Sequence, residues 1–482
     1  MNFKIRNILT ILFLFSLQHL FAQSVDERNN RAVFNRIEYF INAEQPDSIY
    51  ELAAPVFKQQ ITKEQLSGIL IQLFSLGKVK NATQYDFNKG IAKYKTEFEK
   101  ETLSIVLGID SNMQYHTLAF QPYSGAKETV VDTSKKEIIA NVAPKNPLDN
   151  FVDSVARNYA KQGSAQALAV AIIHKNKINT FFYGETDKGN NTLPDANTIF
   201  EIGSISKTFT ASLLAEMVNK GQVKLEESIA KYLPDSVAQN PAIQKITFKS
   251  LANHTSGLPR LADNWKAGAK FSDSDPYAAY DRKLLFGYLK NYQAKEEPES
   301  KYEYSNLGFG LLGELLSIIA KKPYMTLVKE SILTPLEMTT TVDKIDTKTK
   351  NFAPPHDDAG NKVSFWNFQS MAGAGALKSS LNDMMRYTIA QLTYPETDIQ
   401  KAMNLTKQFT FFVPPNSDIG LAWHINMLEG VNYYFHNGGT GGSSSFLGFV
   451  PDEKAVVIIL SNSAKDVTET GTVLLEKVLT TP

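Results

Sequence analysis

The sequence predicts an α+β protein made of a small α+β unit and a larger one. Three observations predict it. Apolar side chains recur at helical spacing through residues 24–80. From residue 82 the apolar period drops to two. From residue 148 onward, pairs of apolar strands near both ends bracket long apolar helices.

The elements follow in order. Val33, Phe34, Ile37, Phe40 and Ile41 share one helix face, as do Leu66, Ile69, Leu70, Leu73 and Phe74, and Gly77 stops the second run. Ala92, Tyr94, Thr96 and Phe98 then alternate with Lys93, Lys95 and Glu97. Leu103, Ile105, Leu107 and Ile109 repeat the pattern, with Glu99-Lys100 between the two runs, so a hairpin is expected. Ser111-Asn112 separates a third strand, Gln114–Phe120. Residues 121–147 carry Pro122, Gly125, Pro144 and Pro147 among many Lys, Glu, Ser and Thr, the composition of a linker. Beyond it, Ala167–Ile173 and Thr180–Tyr183 read as a hairpin, Phe209–Val218 as a strongly apolar helix, and Phe446–Val450 with Ala455–Leu460 as a second hairpin around Pro451–Lys454. The domain reading is therefore 1–22, 23–122, 123–147 and 148–482.

Residues 1–22 read as an export signal: Lys4 and Arg6, a mostly apolar run from Ile8 to Leu17, and Ala22 at the cut. A retained anchor is the alternative, but the run is short for a bilayer. The expected product is a periplasmic or secreted bacterial protein without a stable membrane anchor. Lys+Arg and Asp+Glu are both 50, and removing Lys4 and Arg6 leaves 48 against 50, a net of −2. Such a balance argues against a nucleic-acid partner. Cysteine is absent, which excludes disulfides, thiolate metal sites and cysteine nucleophiles. The seven histidines include no pair at metal-ligand spacing, so no metal and no cofactor are expected. Gly438–Gly442 lacks the Lys-Ser/Thr ending of a phosphate-binding loop, and no Gly-x-Ser-x-Gly elbow occurs.

Ser-x-x-Lys occurs four times, at Ser75, Ser124, Ser204 and Ser228. Only Ser204 opens a long apolar helix. There Lys207 lies one turn on, on the same face, where a partly desolvated amine could accept the serine proton. The bland alternative makes Ser204 a helix cap and Lys207 a solvated residue. Tyr-x-Asn occurs once among twenty tyrosines, as Tyr304-Ser305-Asn306, before the apolar helix Leu307–Ile319. His-x-Gly occurs once among seven histidines, as His436-Asn437-Gly438, leading into an apolar strand. Singly, each has a structural reading; in this order, each at an element boundary, they point to catalysis.

Residues from about 148 to 480 resemble the class C β-lactamase and D-alanyl-D-alanine carboxypeptidase superfamily of serine hydrolases. The resemblance runs through Phe200–Thr210, Lys224–Leu233, Leu251–Pro259 with His254-Thr255-Ser256-Gly257-Leu258-Pro259, Tyr304–Gly308, Ala372–Leu377 and His436–Gly439. It implies a two-lobed β-lactamase/transpeptidase-like domain, an antiparallel sheet flanked by helices plus a helical lobe, with the site between them. It further implies Ser204 as acylated nucleophile, Lys207 and Tyr304 sharing proton transfer, and Asn306 bonding the substrate amide or Lys207. The N–H groups of Ser204 and Gly439 would form an oxyanion hole, and His436 and Gly438 would line the sheet edge. The third motif departs from the Lys-Thr-Gly usual in β-lactamases, which puts antibiotic hydrolysis in doubt and favours a peptidase or esterase. A true β-lactamase or penicillin-binding carboxypeptidase is the nearest rival. A non-catalytic module binding cell-wall peptides or a partner is the rival from another class. The helices and meander of residues 23–122 resemble nuclear-transport-factor-like domains.

Overall fold

Where apolar period and turn chemistry agree, the elements form as read. The computed structural model describes residues 25–481, except 89, 111, 124–137, 143, 162–165, 176 and 414–416. The export-signal reading of residues 1–22 and most of the linker reading lie outside the described residues. The chain divides at Val131/Asp132 into two units.

The first unit has helices Val25–Asn42, Pro46–Glu51, Pro55–Lys58 and Lys63–Phe74. Thr62 starts the last of these with a capping box, its hydroxyl taking the Gln65 N–H and the Gln65 side chain taking its own. The strands β1 (Val79–Asn88), β2 (Ile91–Phe98), β3 (Thr102–Ile109) and β4 (Tyr115–Pro122) form an antiparallel meander in sequence order. Along β2 the even positions Ala92, Tyr94, Thr96 and Phe98 are buried and the odd ones are not, as the alternation requires. Phe34 stacks on Tyr94 at 3.7 Å, and the Tyr94 hydroxyl donates to Asn30 Oδ1 at 2.9 Å, tying helix to sheet. Strand β1 begins at Val79, inside the stretch whose spacing reads as helix.

The second unit is built on a nine-stranded antiparallel sheet. Its strands are β5 (Ala140–Asn141), β6 (Ala167–His174), β7 (Lys177–Gly184), β10 (Phe411–Val413), β11 (Ser417–Ile419), β12 (His424–Leu428), β13 (Val431–Gly439), β14 (Ser444–Val450) and β15 (Ala455–Ser461), in the order β10-β11-β12-β13-β14-β15-β6-β7-β5. Two short strands, β8 (Ile199–Glu201) and β9 (Lys378–Ser380), pair apart from it. Strand β5 pairs with β7, so the sheet begins inside the stretch whose composition reads as linker.

Every residue of β14 and β15 is buried, because helices cover both faces. Alternation splits the apolar run of β15 between two cores. Val457 and Ile459 face the helices Pro147–Ala160 and Thr468–Leu479. Val456, Ile458 and Leu460 face the helical lobe. Each such side chain contributes roughly 1.5–3 kcal/mol by leaving water. The helix Ser206–Asn219 runs through the helical lobe and is buried on all sides from Ser206 to Met217. Its buried hydroxyls are satisfied: Thr210 donates to the Gly373 carbonyl on another element and Ser212 to the Thr208 carbonyl one turn back.

Candidate active site

Three segments converge where the sheet meets the helical lobe. Pairing of β8 with β9 aims the first segment. Ser204 follows in a single tight turn, Gly203–Ile205, just before the helix Ser206–Asn219. The turn needs Gly203: its φ is +48°, and a Cβ there would meet the Gly439 nitrogen at 2.7 Å. Ser204 is not a helix cap, since Ile205 holds that position without a side-chain bond. Its Oγ lies 3.0 Å from Lys207 Nζ instead. Lys207 is fully buried, and its Nζ also donates to Asn306 Oδ1 at 2.8 Å and to the Ala374 carbonyl at 2.7 Å. Burial lowers its pKa well below the ordinary lysine range, and the Arg260 charge lowers it further.

The second segment carries Tyr304 and Asn306. Ser305 caps the helix Asn306–Ala320, its Oγ accepting the Gly308 N–H at 2.8 Å and donating to the Pro259 carbonyl at 2.7 Å. The loop of residues 254–260 acts as a template for this segment. His254 Nδ1 accepts the Ser305 N–H at 3.0 Å, and the Arg260 carbonyl accepts those of Asn306 and Leu307 at 3.1 Å each. The His254 ring, fully buried at φ +61°, packs on the Tyr304 ring at 4.3 Å between centroids. Burial pushes the Tyr304 phenol up to about 12, partly offset by a hydrogen bond with Ser204 and by the Arg260 charge. Asn306 Nδ2 donates to the Tyr277 hydroxyl at 3.1 Å, which orients its Oδ1 toward Lys207.

The third segment is the end of β13. Gly438 and Gly439 pair with Ser445 and Ser444 on β14 and lie against Ile202 and Gly203. A Cβ on Gly438 would collide with the Ile202 carbonyl, so the two segments approach at backbone distance. Asn437 faces away and donates to Thr468 Oγ1 at 2.9 Å. His436 differs from the sequence expectation of a side chain lining the sheet edge. Its ring is fully buried, 6.5 Å from the Tyr304 ring and 5.6 Å from the His424 ring, and it is not part of the cleft lining. Nδ1 sits 2.6 Å from the Asn437 carbonyl, which can only accept, so Nδ1 carries the proton. Burial, with His424 and Lys207 nearby, holds its pKa well below the usual histidine value, so it is a neutral ring and not a cation near pH 7.

The cleft at Ser204 is small, with an enclosed volume of about 20 Å³. Gly203, Ser204, Asn306 and Gly439 form one part of its lining, and Tyr277, Trp366 and Phe368 an aromatic wall. Tyr277 stacks on Phe368 at 4.7 Å and tilts against Trp366 at 5.4 Å. These aromatics, Thr440 and Glu201 escaped motif reading. Glu201 is buried behind the wall, its oxygens accepting the Trp366 N–H at 2.8 Å and the Thr440 hydroxyl at 2.6 Å. It fixes two cleft residues that lie 165 and 239 positions away in sequence. Its place within the Phe200–Thr210 segment was the only available signal. Among the described residues no group of three or more His, Cys, Asp or Glu could hold a metal ion.

This sheet, helical lobe and Ser-Lys-Tyr-Asn cluster define a β-lactamase/transpeptidase-like fold. The beta-lactamase family profile matches residues 152–477. The chain belongs to the beta-lactamase family and is a serine hydrolase. It is 28% identical over 327 residues to the D-alanyl-D-alanine-carboxypeptidase/endopeptidase AmpH of Escherichia coli strain K12, covering 63% of this chain and 81% of that protein. To the beta-lactamase of Psychrobacter immobilis it is 25% identical over 353 residues, covering 65% and 83%. Among solved structures, the beta-lactamase/D-alanine carboxypeptidase from Pseudomonas syringae superposes with a TM-score of 0.62 at 22% identity, over 70% of this chain and all of that one. A class C beta-lactamase gives 0.62 at 20% identity, over 71% and 99%.

Proposed function

We propose that the protein is an exported hydrolase that cleaves an ester or peptide bond through an acyl-enzyme on Ser204. One observation carries this reading: Lys207, buried and with no carboxylate partner among the described residues, holds its Nζ 3.0 Å from Ser204 Oγ. As Oγ attacks the carbonyl carbon, its proton passes to the Lys207 amine. The oxyanion settles between the N–H groups of Ser204 and Gly439. Collapse breaks the bond to the leaving group, which takes a proton from the Lys207–Tyr304 pair. A phenol pushed up to about 12 stays protonated at neutral pH, which suits Tyr304 to donating and Lys207 to accepting. Water then gives a proton to the same pair, attacks the ester and frees Ser204. Asn306 holds Lys207 in place.

The substrate class we favour is a peptide or small ester of cell-wall origin. The carboxypeptidase name of the relative supports it, as does a cleft that is narrow and aromatic on one side. A neutral, buried His436 offers no charge to a β-lactam carboxylate, which weighs against antibiotic hydrolysis as the main role. Residues 1–22 support export, and we read residues 23–122 as a nuclear-transport-factor-like accessory unit.

The test is labelling with a fluorophosphonate, followed by mass mapping and a screen of p-nitrophenyl esters, D-amino-acid peptides and nitrocefin. Added mass on the Ser204 peptide, absent in Ser204→Ala, is the expected result. Folding should survive the substitution, because the hydroxyl caps no helix and a single bond to Lys207 is worth about 1 kcal/mol. Turnover in Ser204→Ala within a few-fold of wild type would overturn the assignment.

A further inference from the structure

We propose that Phe368 sets the acyl specificity of the site. Its ring walls the cleft at Ser204 off from a larger pocket, so the site takes esters and amides of short acyl groups. The proposal deepens the reading of Ser204 as nucleophile and rests on it.

The acyl group has one direction left. The oxyanion turns to the N–H groups of Ser204 and Gly439, and the leaving group must face the Lys207–Tyr304 pair that protonates it. The remaining substituent on the reacting carbon meets the wall of Tyr277, Trp366 and Phe368. The enclosed volume of about 20 Å³ holds little more than one water-sized group. A second pocket, of about 570 Å³, also abuts Phe368, and Ile318, Lys321, Tyr324, Met325 and Asp343 are among its other lining residues. That volume is ordinary for a small-molecule site. Of the residues that line the two cavities, only Phe368 is common to both.

The segment that carries Phe368 is pinned on both flanks. The buried Glu201 accepts the Trp366 N–H at 2.8 Å, and the buried Lys378 donates to the Trp366 carbonyl at 2.6 Å. Asp275 accepts the Asn367 N–H at 2.7 Å and its side-chain amide at 2.8 Å. On the other flank the Tyr280 carbonyl accepts the Ser370 N–H at 3.2 Å and its hydroxyl at 2.7 Å. The Phe368 ring lies nearly parallel to that of Tyr277, 4.7 Å between centroids. It also sits against Gly375, where a Cβ would stand 3.1 Å from its Cζ. Two buried charged side chains that serve one backbone unit have each given up their water to do so. A partition held in this way excludes long chains by shape and does not swing aside as a lid would.

The experiment measures kcat/KM for p-nitrophenyl acetate, butyrate and octanoate. The proteins are wild type, Phe368→Leu, Phe368→Ala, Met325→Trp and the Phe368→Ala/Met325→Trp pair, with melting curves to verify folding. A methylene that a pocket cannot hold costs about tenfold or more, so the wild-type octanoate-to-acetate ratio should lie below about 0.01. Phe368→Ala should raise the ratio about 30- to 300-fold by joining the two cavities, with Phe368→Leu in between. Phe368→Leu carries the test alone if Phe368→Ala melts below the assay temperature. Met325→Trp should keep the wild-type ratio, because the acyl chain does not reach the second pocket, and should cancel the gain in the pair by filling it. A ring that matters only for stability would shift all three esters together and leave their ratios. A ratio unchanged in both Phe368 variants, or a gain that survives Met325→Trp, overturns this proposal. So does a wild type that turns over octanoate as readily as acetate, or turns over neither, while a fluorophosphonate still labels Ser204. No labelling of Ser204 overturns the nucleophile assignment, and this proposal with it.

Discussion

Among the described residues Lys207 Nζ has three hydrogen-bonding oxygen neighbours, of which only Ser204 Oγ, at 3.0 Å, can give it a hydrogen. The Asn306 Oδ1 and the Ala374 carbonyl can only accept. A neutral amine fits this set: two N–H bonds serve the two pure acceptors, and the lone pair meets the serine hydroxyl. An ammonium would also find three acceptors, but among the described residues no carboxylate to offset the loss of water. Geometry and burial therefore agree on a lysine poised to take a proton.

That arrangement has a cost in stability that pH exposes. The folded pKa of Lys207 is depressed, while in the unfolded chain it returns to about 10.4. Between those values the unfolded chain holds more protons, so stability rises with pH. The buried tyrosines reverse the trend above about pH 10, where only the unfolded phenols ionise. Denaturant titrations from pH 7 to 9 should show wild-type stability increasing, and Lys207→Met should flatten the slope and raise the melting temperature while abolishing turnover. An equally steep slope in Lys207→Met would mean that Lys207 folds as an ammonium.

Lys207→Ala and Tyr304→Phe should each cut kcat/KM by roughly 10²–10⁴. The pair should be little worse than either single, because groups moving one proton fail together. The Lys207 nitrogen lies 4.9 Å from the centre of the Tyr304 ring, and both contact Ser204. Multiplying losses in the double variant would show two independent steps.

Much of this site was legible because its motifs sit at the starts of helices. Ser204 and Lys207 are one turn apart, and Tyr304 and Asn306 flank a serine cap, so local spacing carries their geometry. The strands β2, β3, β14 and β15 were legible for the same reason, an unbroken period of two or a continuous apolar run. Arg260, Glu201 and the Tyr277–Trp366–Phe368 wall were not, since each gains its place through contacts with residues far away in sequence. His436 shows the limit most clearly. Its spacing before Gly438 was readable, but its burial among the Tyr304 and His424 rings is something spacing cannot report.

The boundary ahead of the hydrolase unit can be tested by truncation. Ile138 is buried in the core beneath helix Pro147–Ala160, and its carbonyl accepts from Arg157 at 3.2 Å. The Ile139 carbonyl accepts the Gly184 N–H at 2.8 Å, and β5 pairs with β7. A chain starting at residue 136 should fold alone, whereas one starting at 145 loses these contacts and should melt several degrees lower. For domains of about 150–250 residues 1 kcal/mol corresponds to roughly 2–4 °C, and for a unit as large as this one to somewhat less. Equal melting temperatures would show that residues 138–141 add nothing.

The last prediction concerns the third motif. Lysine at position 436 would restore the Lys-x-Gly pattern of β-lactamases, and sequence reasoning alone expects a gain in nitrocefin hydrolysis. The structure predicts a loss of stability instead. His436 lies fully buried among the Tyr304 and His424 rings, with Lys207 close enough to disfavour a second positive charge. Its Nε2 has no partner among the described residues, so an ammonium built there finds neither water nor carboxylate. Burying an unpaired polar or charged group costs roughly 2–4 kcal/mol after relaxation. His436→Lys should therefore unfold at lower denaturant, with little improvement on nitrocefin. His436→Gln, which keeps a neutral polar group of similar reach, should remain near wild type in stability. The measurements are denaturant midpoints and initial rates on nitrocefin and a short p-nitrophenyl ester for all three proteins. A His436→Lys protein that is fully stable and gains tenfold or more on nitrocefin alone would show that residue 436 reaches the substrate directly.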